Sequence, residues 1–394
     1  VSFIDSFLQH TQFYESPTSF WRWAGYTIIA ATLRDNCYRR LGDSLLYPNI
    51  YTLLLAESAV HRKGKPVVLG EALVEKVNNT KLISGRSSIQ AILDELARGE
   101  TDKKTGKLVS GGSALFSAQE LAAGIVQDPE AIKIITDIYD FKPNFKSRLR
   151  GSGVFQIKNL CFTMLAASNE EFLKDVYDIK ALYGGLLGRT FLVRPDEFRR
   201  GNSLFSARDT TEGFLALVKD LTEISHIKGE FEVTEDAQKE YEKWYLPFRE
   251  SYRSKSDKSG ISGRIHTSAL KLAMIICVDK TRKLVIEENH IEEAISYCMR
   301  LMPNYSSLVM SSGKSTTSEI AAVLIEDIWR SKNRVLSKGE FLGRYFHQFD
   351  LDLVDKAMTT LVQAGLIKEF LSGSEISYTV TDKCKNVFNL EEKK

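Results

Sequence analysis

IYTLLLAESAVHRKGKPVV, residues 50–68, is the stretch on which the fold turns. Ile50 to Leu55 is a short, unbroken apolar run, as expected of a strand buried on both faces. Tyr47-Pro48-Asn49 before it reads as a turn. Glu57 to Lys65 is a polar, basic loop, and Val67 to Val77 has helical spacing. Strand, basic loop with glycine, then helix is the layout of a phosphate-binding unit. Loop amides and a helix N-terminus face the anion, and a lysine reaches the outer phosphates. Two registers are open. Gly64-Lys65 can be the Gly-Lys pair, with Ala59 where the first glycine is expected and Pro66 where the hydroxyl is expected. Alternatively Lys63 is the phosphate lysine, Ser58 opens the loop, and Gly64 replaces the hydroxyl that normally holds Mg²⁺.

Outward from this unit the pattern repeats. Ser113 to Ser117, Leu160 to Ala167 and Thr190 to Val193 are further apolar runs separated by helical segments. A strand and a helix with Ser87 as its cap are expected within 81–100, a Lys/Gly-rich hairpin or loop over 101–112, and helix to Ile125 and from Pro129 to Tyr139. This alternation predicts a layered α/β fold with a largely parallel sheet. The reading divides the chain into an N-terminal helical segment (1–45), a core (46–200), a mainly helical lid region (201–315) and a C-terminal domain (318–394), with linker composition over Ser311 to Thr317. The last domain has the order helix, short helix, helix, hairpin, which is a winged-helix pattern.

Composition narrows the function. The 394 residues carry 53 Lys+Arg against 51 Asp+Glu, a net charge of +2, so any nucleic-acid site must be local rather than a general basic coat. Cys37, Cys161, Cys277, Cys298 and Cys384 form no CxxC pair, which excludes a zinc ribbon and fits free thiols in a reducing cytoplasm. No metal-ligand cluster is read from the six scattered histidines. No apolar run reaches the ~18 residues of a membrane span. The chain begins at Val1 rather than Met, which leaves room for an upstream part such as a primase domain.

Three residues at strand ends suit nucleotide chemistry. Glu120 follows an apolar strand, where an acid polarises water; the companion Asp is replaced by Gln119. Asn169 ends the next strand and is placed to orient water near a γ-phosphate. Arg189 follows a Gly-rich turn and suits transition-state charge, supplied from a neighbouring subunit. Each alone also reads as a cap or surface charge. Lys142, Lys146, Arg148, Arg150 and Lys158 lie in an acid-free stretch that can contact DNA phosphates independently of sequence. Arg253, Lys255 and Lys258 form a second, merely exposed basic stretch. The second main helix of the winged-helix pattern presents Asp355, Lys356, Thr359, Thr360 and Gln363, although 318–394 holds 11 basic and 12 acidic residues.

The segments LLLAESAVHRKGKP, SSIQAILDEL, SALFSAQELAAGI, NLCFTMLAASNEEFL, GGLLGRTFLVRPDE and GRIHTSALKLAMII resemble a family of P-loop proteins of phages, plasmids and other mobile elements, described as primase–helicase or replicative-helicase-like. The resemblance implies a RecA/AAA+-like ATPase core and a hexameric ring. It also implies that ATP and Mg²⁺ are bound, with single-stranded or forked DNA as substrate. By it, Arg62 and Lys63 correspond to the phosphate-loop basic pair, with Ser58, Gly64 and Lys65 around them. Glu120 corresponds to the catalytic acid, Asn169 to the sensor, Arg189 to the arginine finger and Arg264 to a second sensor arginine. Gly64 and Gln119 depart from the pattern and remove Mg²⁺ ligands. The alternatives are a hydrolysis-weak initiator or helicase-loading protein, and a nucleotide-dependent defence regulator.

Overall fold

In a computed structural model of the chain, the described residues are 2–394 except 78–79, 86, 99, 102–107, 111, 122–124, 126–127, 150–152, 171–172, 174–184, 202–209, 253–259, 313–315, 346, 348, 374 and 385–394. The chain forms two compact units, Val1–Val309 and Met310–Lys394.

The first unit opens with helices α1 (Phe3–His10) and α2 (Thr18–Leu33). A hairpin of β1 (Cys37–Leu41) and β2 (Ser44–Leu46) follows, so the helical reading of 1–45 is corrected at its end. The reversal is local: Gly42, at φ 58°, takes a conformation that a side chain disfavours. The core then runs β3 (Tyr51–Leu55), α3 (Gly64–Lys76), β4 (Lys81–Ser84) and α4 (Ile89–Ala97). The cap of α4 is Ser88 rather than Ser87: its side chain accepts from the Ala91 N–H. Short β5 (Glu100–Thr101) and β6 (Leu108–Ser110) pair antiparallel. After them come β7 (Ser113–Ala118), α5 (Pro129–Asp137), β8 (Lys142–Leu149), β9 (Gly153–Ser168) and β10 (Thr190–Val193).

Five of these strands form one parallel path in the order β10-β3-β9-β7-β4, and β8 pairs with β9 off the path. β9 runs from Gly153 to Ser168, longer than the apolar stretch from Leu160 to Ala167 suggests. Its first half pairs antiparallel with β8 (Arg148↔Val154 to Lys142↔Leu160) and its second half lies between β3 and β7. Asn159, at φ 50°, marks the change of partners. The residues of β3, β7 and β10 are buried throughout, which explains why these strands read as continuous apolar runs.

Helix α2 covers the sheet and is buried almost all round; its Thr27 hydroxyl donates to Thr52 of β3 at 2.7 Å. Gly70 of α3 lets that helix approach: a Cβ there would sit 3.1 Å from Leu165 and 3.3 Å from Ile28. The remaining helices of the unit are α6 (Thr211–Ser225), α7 (Glu235–Tyr252), α8 (Ile265–Thr281) and α9 (Glu288–Ser312). Phe3, Trp21, Phe116, Leu221, Met274 and Tyr305 belong to one hydrophobic core, so helices from 1–45 and from 201–315 pack with the sheet. β10 is an edge of the path, and α9 covers its free backbone groups. Leu192 N–H donates to the Tyr305 hydroxyl at 3.1 Å, and Asn304 Nδ2 donates to the Leu192 carbonyl at 2.8 Å.

The second unit contains α10 (Thr316–Arg330), β14 (Val335–Ser337), α11 (Lys338–Tyr345), α12 (Leu351–Gln363), β15 (Ile367–Ser372) and β16 (Glu375–Val380); β11 to β13 are two-residue strands at 229–230, 232–233 and 285–286 of the first unit. Its sheet order is β14-β16-β15, all antiparallel, over a core of Ile320, Leu324, Phe341, Met358 and Leu361.

Asp279, buried on α8, accepts from the Ile4 N–H at 3.0 Å and so ties α1 to α8. Burial raises its pKa to about 6, against the opposing pull of that hydrogen bond. A carboxyl whose folded pKa lies above its unfolded value binds a proton more tightly in the native state. Stability from this group therefore grows as pH falls from about 6 to about 4 and is absent above that window. Asp279→Asn keeps the acceptor and removes the charge. Urea titrations at pH 4 to 7 should show the mutant losing this pH slope, by no more than about 3 kcal/mol, and at least matching wild type at pH 7.

Candidate functional site

The carboxyl ends of β3, β9 and β7 gather the expected nucleotide residues on one edge of the sheet. After β3 the chain enters 56–63, where Ala59 (φ 64°) and Arg62 (φ 47°) take left-handed backbone, and turns into α3. Lys63, at the N-cap of α3, is buried. Its Nζ donates to the Ala56 carbonyl at 3.2 Å and lies 4.0 Å from Glu120 Oε2. Of the two registers, this one brings Lys63 to the acid, whereas Lys65 is exposed. Arg62 turns away: its Nε pairs with Glu15 at 3.0 Å, and its carbonyl accepts from Ser16 Oγ.

Glu120 is accessible and accepts from Ser168 Oγ at 3.3 Å. Asn169 Nδ2 donates to Ser58 Oγ at 3.1 Å, bridging the end of β9 to the loop. The acid's strand is not the immediate neighbour of the loop's strand, because β9 and Asn169 lie between them. A Cβ on Gly64 would stand 3.4 Å from Gln119 Oε1, so positions 64 and 119 face each other. Ser168 and Ser58 were not singled out as partners of Glu120 and Asn169; a serine at a strand end carries no signal separable from capping.

Arg189 and Arg264 lie on the opposite edge, where strands begin. Arg189 ends a 3-10 turn just before β10. It donates to the Gly185 carbonyl at 3.1 Å, lies 3.6 Å from Asp140 and sits over the Tyr139 ring. Its Nε is buried without a hydrogen-bond partner. Arg264 precedes α8; burial and the charge of Arg189 lower its pKa. Here the structure adds residues the sequence reading passed over. Lys271 of α8 is buried; its Nζ donates to the Asn49 carbonyl and to Asn49 Oδ1, both at 3.0 Å, and rests 3.9 Å from the centre of the Tyr139 ring. Burial brings its pKa down to about 8. Asn49 Nδ2 in turn donates to the Tyr139 and Phe162 carbonyls, at 2.7 and 3.0 Å. A lone cation in the apolar run from Ala269 to Val278 was a legible signal of a built polar site; Asn49 was hidden in its turn.

The basic stretch is a β-hairpin. Lys146 and Arg148 on β8, and Lys158 on β9, are exposed on one face, while Phe145, Phe155 and Ile157 bury the other. Lys142 pairs with Asp137 at 3.0 Å. Arg150, Arg253, Lys255 and Lys258 fall outside the described residues. In the second unit, Lys356 is exposed on α12, and its neighbour Asp355 pairs with Lys338 at 2.6 Å.

No family model matches this chain, and no curated protein matches it. No helix among the described residues is long and apolar enough to cross a membrane.

Asn49 is the hub of the buried polar node, since it serves two carbonyls and an ammonium at once. Asn49→Ala should cost about 3 kcal/mol, because it strands buried polar groups rather than removing one weak bond. Urea unfolding of the whole chain measures this, and a loss below about 1 kcal/mol would show that the node is dispensable.

Proposed function

We propose that the protein is an ATP-dependent, ring-forming motor that moves along or opens DNA during replication of a phage, plasmid or other mobile element. The observation that carries this reading is the approach of Lys63 Nζ to within 4.0 Å of Glu120 at the N-terminus of α3, with Asn169 on the strand between them. A RecA/AAA+-like core accounts for this set: a loop strand, a sensor strand beside it and an acid strand beyond. Lys63 and the α3 N-terminus hold the phosphates of ATP. Glu120 polarises the attacking water, and Asn169 orients it. Arg189, on the opposite edge, serves the nucleotide of the next subunit in a hexamer. The hairpin face bearing Lys146, Arg148 and Lys158 contacts DNA phosphates. The second unit reads as a winged helix, and Lys356 adds a DNA contact there. A primase is a fitting partner.

The donor set fits phosphates better than Mg²⁺. Mg²⁺ is held by one or two carboxylates, a hydroxyl and phosphate oxygens; Gly64 and Gln119 supply neither the hydroxyl nor the second carboxylate. This favours the second reading, a hydrolysis-weak initiator or helicase-loading protein that keeps the fold and assembles on DNA.

Phosphate release from ATP, with and without single-stranded DNA, separates the readings. Under the motor reading, Glu120→Gln lowers turnover by at least ~100-fold while ATP still binds, and Lys63→Ala abolishes binding. Wild type that binds no ATP sinks the motor, and brisk hydrolysis removes the assembly reading. Replacing Lys146 and Arg148 by Gln should reduce the salt slope of single-strand binding by about 1.4, two phosphate contacts at ~0.7 each. An unchanged slope would remove the hairpin from the DNA path.

A further inference from the structure

A cavity of about 500 Å³ opens on the strand-start edge, lined by Leu46, Tyr139, Asp140, Arg264, His266 and Lys271 among others. Its charges do not balance. Lys271 and Arg264 face it, Arg189 stands behind Asp140, and Asp140 is the one carboxylate among the lining residues. Among the described residues, these three cations against one anion leave an excess of two positive charges. Lys271 has an amide, a carbonyl and a ring as partners, which solvate it without neutralising it. Holding two guanidiniums around one carboxylate in a half-buried place costs free energy unless an anion offsets it. The first turn of α8, a helix of 17 residues, also lines the cavity and adds its positive end.

We infer that this cavity is a second phosphoryl site, separate from the loop at 56–63, and that Arg264 and Lys271 bind the anion with Arg189 close by. A phosphate or diphosphate group suits it, because its charge of about two matches the excess and its oxygens suit an arginine fork beside a lysine; a single carboxylate would leave the site cationic. Asp140 competes with the ligand for the same arginines. With a free anion the inference is independent of ATP binding at Lys63; with a second copy's nucleotide it rests on that proposed reading. The phosphoryl group comes either from a free anion or from the nucleotide carried by a second copy of this chain.

The test uses the full-length chain carrying Lys63→Ala, which disables the phosphate loop, with pyrophosphate as the calorimetric probe at fixed ionic strength. Arg264→Gln in this background should weaken binding at least tenfold. Asp140→Asn should strengthen it several-fold, a gain that damage to the fold would not produce. If the Lys63→Ala chain binds no pyrophosphate, the second arm decides: ATP-dependent self-association of wild type, followed by sedimentation, should be lost in Arg264→Gln, which assigns the phosphoryl group to the partner copy. Pyrophosphate binding in the first arm assigns a free anion. The inference is overturned if Arg264→Gln leaves both readouts unchanged, or if Asp140→Asn weakens binding as Arg264→Gln does. Circular dichroism of each variant confirms that it is folded, and Arg264→Lys, retaining the charge, should recover part of the affinity.

Discussion

The main sheet of the first unit is built around β9. Its 16 residues, at ~3.3 Å each, extend roughly 50 Å, and its two halves hold different partners. The second half is the central strand of the sheet. The chain leaving β3 donates from Ala56 N–H to the Ser168 carbonyl at 3.3 Å, and the chain leaving β7 donates from Leu121 N–H to the Ala167 carbonyl at 2.9 Å. Loop and acid are thus both hung on the last two residues of β9, which is why Lys63 and Glu120 meet although their strands are not neighbours. The first half pairs with β8 and carries the basic hairpin. A one-residue register slip would move every side chain of the strand to the other face, so the loop edge and the hairpin are placed by the two ends of one strand.

Much of this was legible because burial on both faces leaves a plain mark. Ile50 to Leu55, Ser113 to Ser117 and Thr190 to Val193 read as buried strands, and they are strands at those places. What did not read was pairing. The hairpin of 142–158 showed its charge but not its second face, because Phe145, Phe155 and Ile157 are spread among lysines and arginines. β1 and β2 were absorbed into the N-terminal helices because Arg39 and Arg40 give no strand alternation. The site divided in the same way. Residues at strand ends could be ranked from order alone, whereas Asn49 and Asp140 owe their place to contacts 222 residues away and to a neighbouring strand start.

The near-neutral chain conceals a separation of charge along the sheet. The loop edge brings Lys63 against Glu120 and Arg62 against Glu15, while Lys65 is exposed. The strand-start edge collects Arg189, Arg264 and Lys271 around Asp140. On the proposed reading, an anion would be drawn to this second edge as well as to the loop. In the proposed ring, the cation excess of one copy would face the phosphates held by the next.

Gly64 and Gln119 bear on how strongly that loop would engage its ligand. With a Cβ at 64 only 3.4 Å from Gln119 Oε1, a hydroxyl at 64 and a carboxylate at 119 would be side by side, a pair able to hold a divalent cation between them. An amide facing a bare Cα has no comparable use. Gln119 is uncharged, so the carboxylate that meets Lys63 is that of Glu120. On the proposed reading, a lysine paired with Glu120 alone would keep more of its attraction for phosphate, with less left to neutralise charge on the leaving oxygens. On the proposed nucleotide reading, affinity would rest on Lys63 and the α3 N-terminus, and turnover on groups this loop lacks or would receive from another copy.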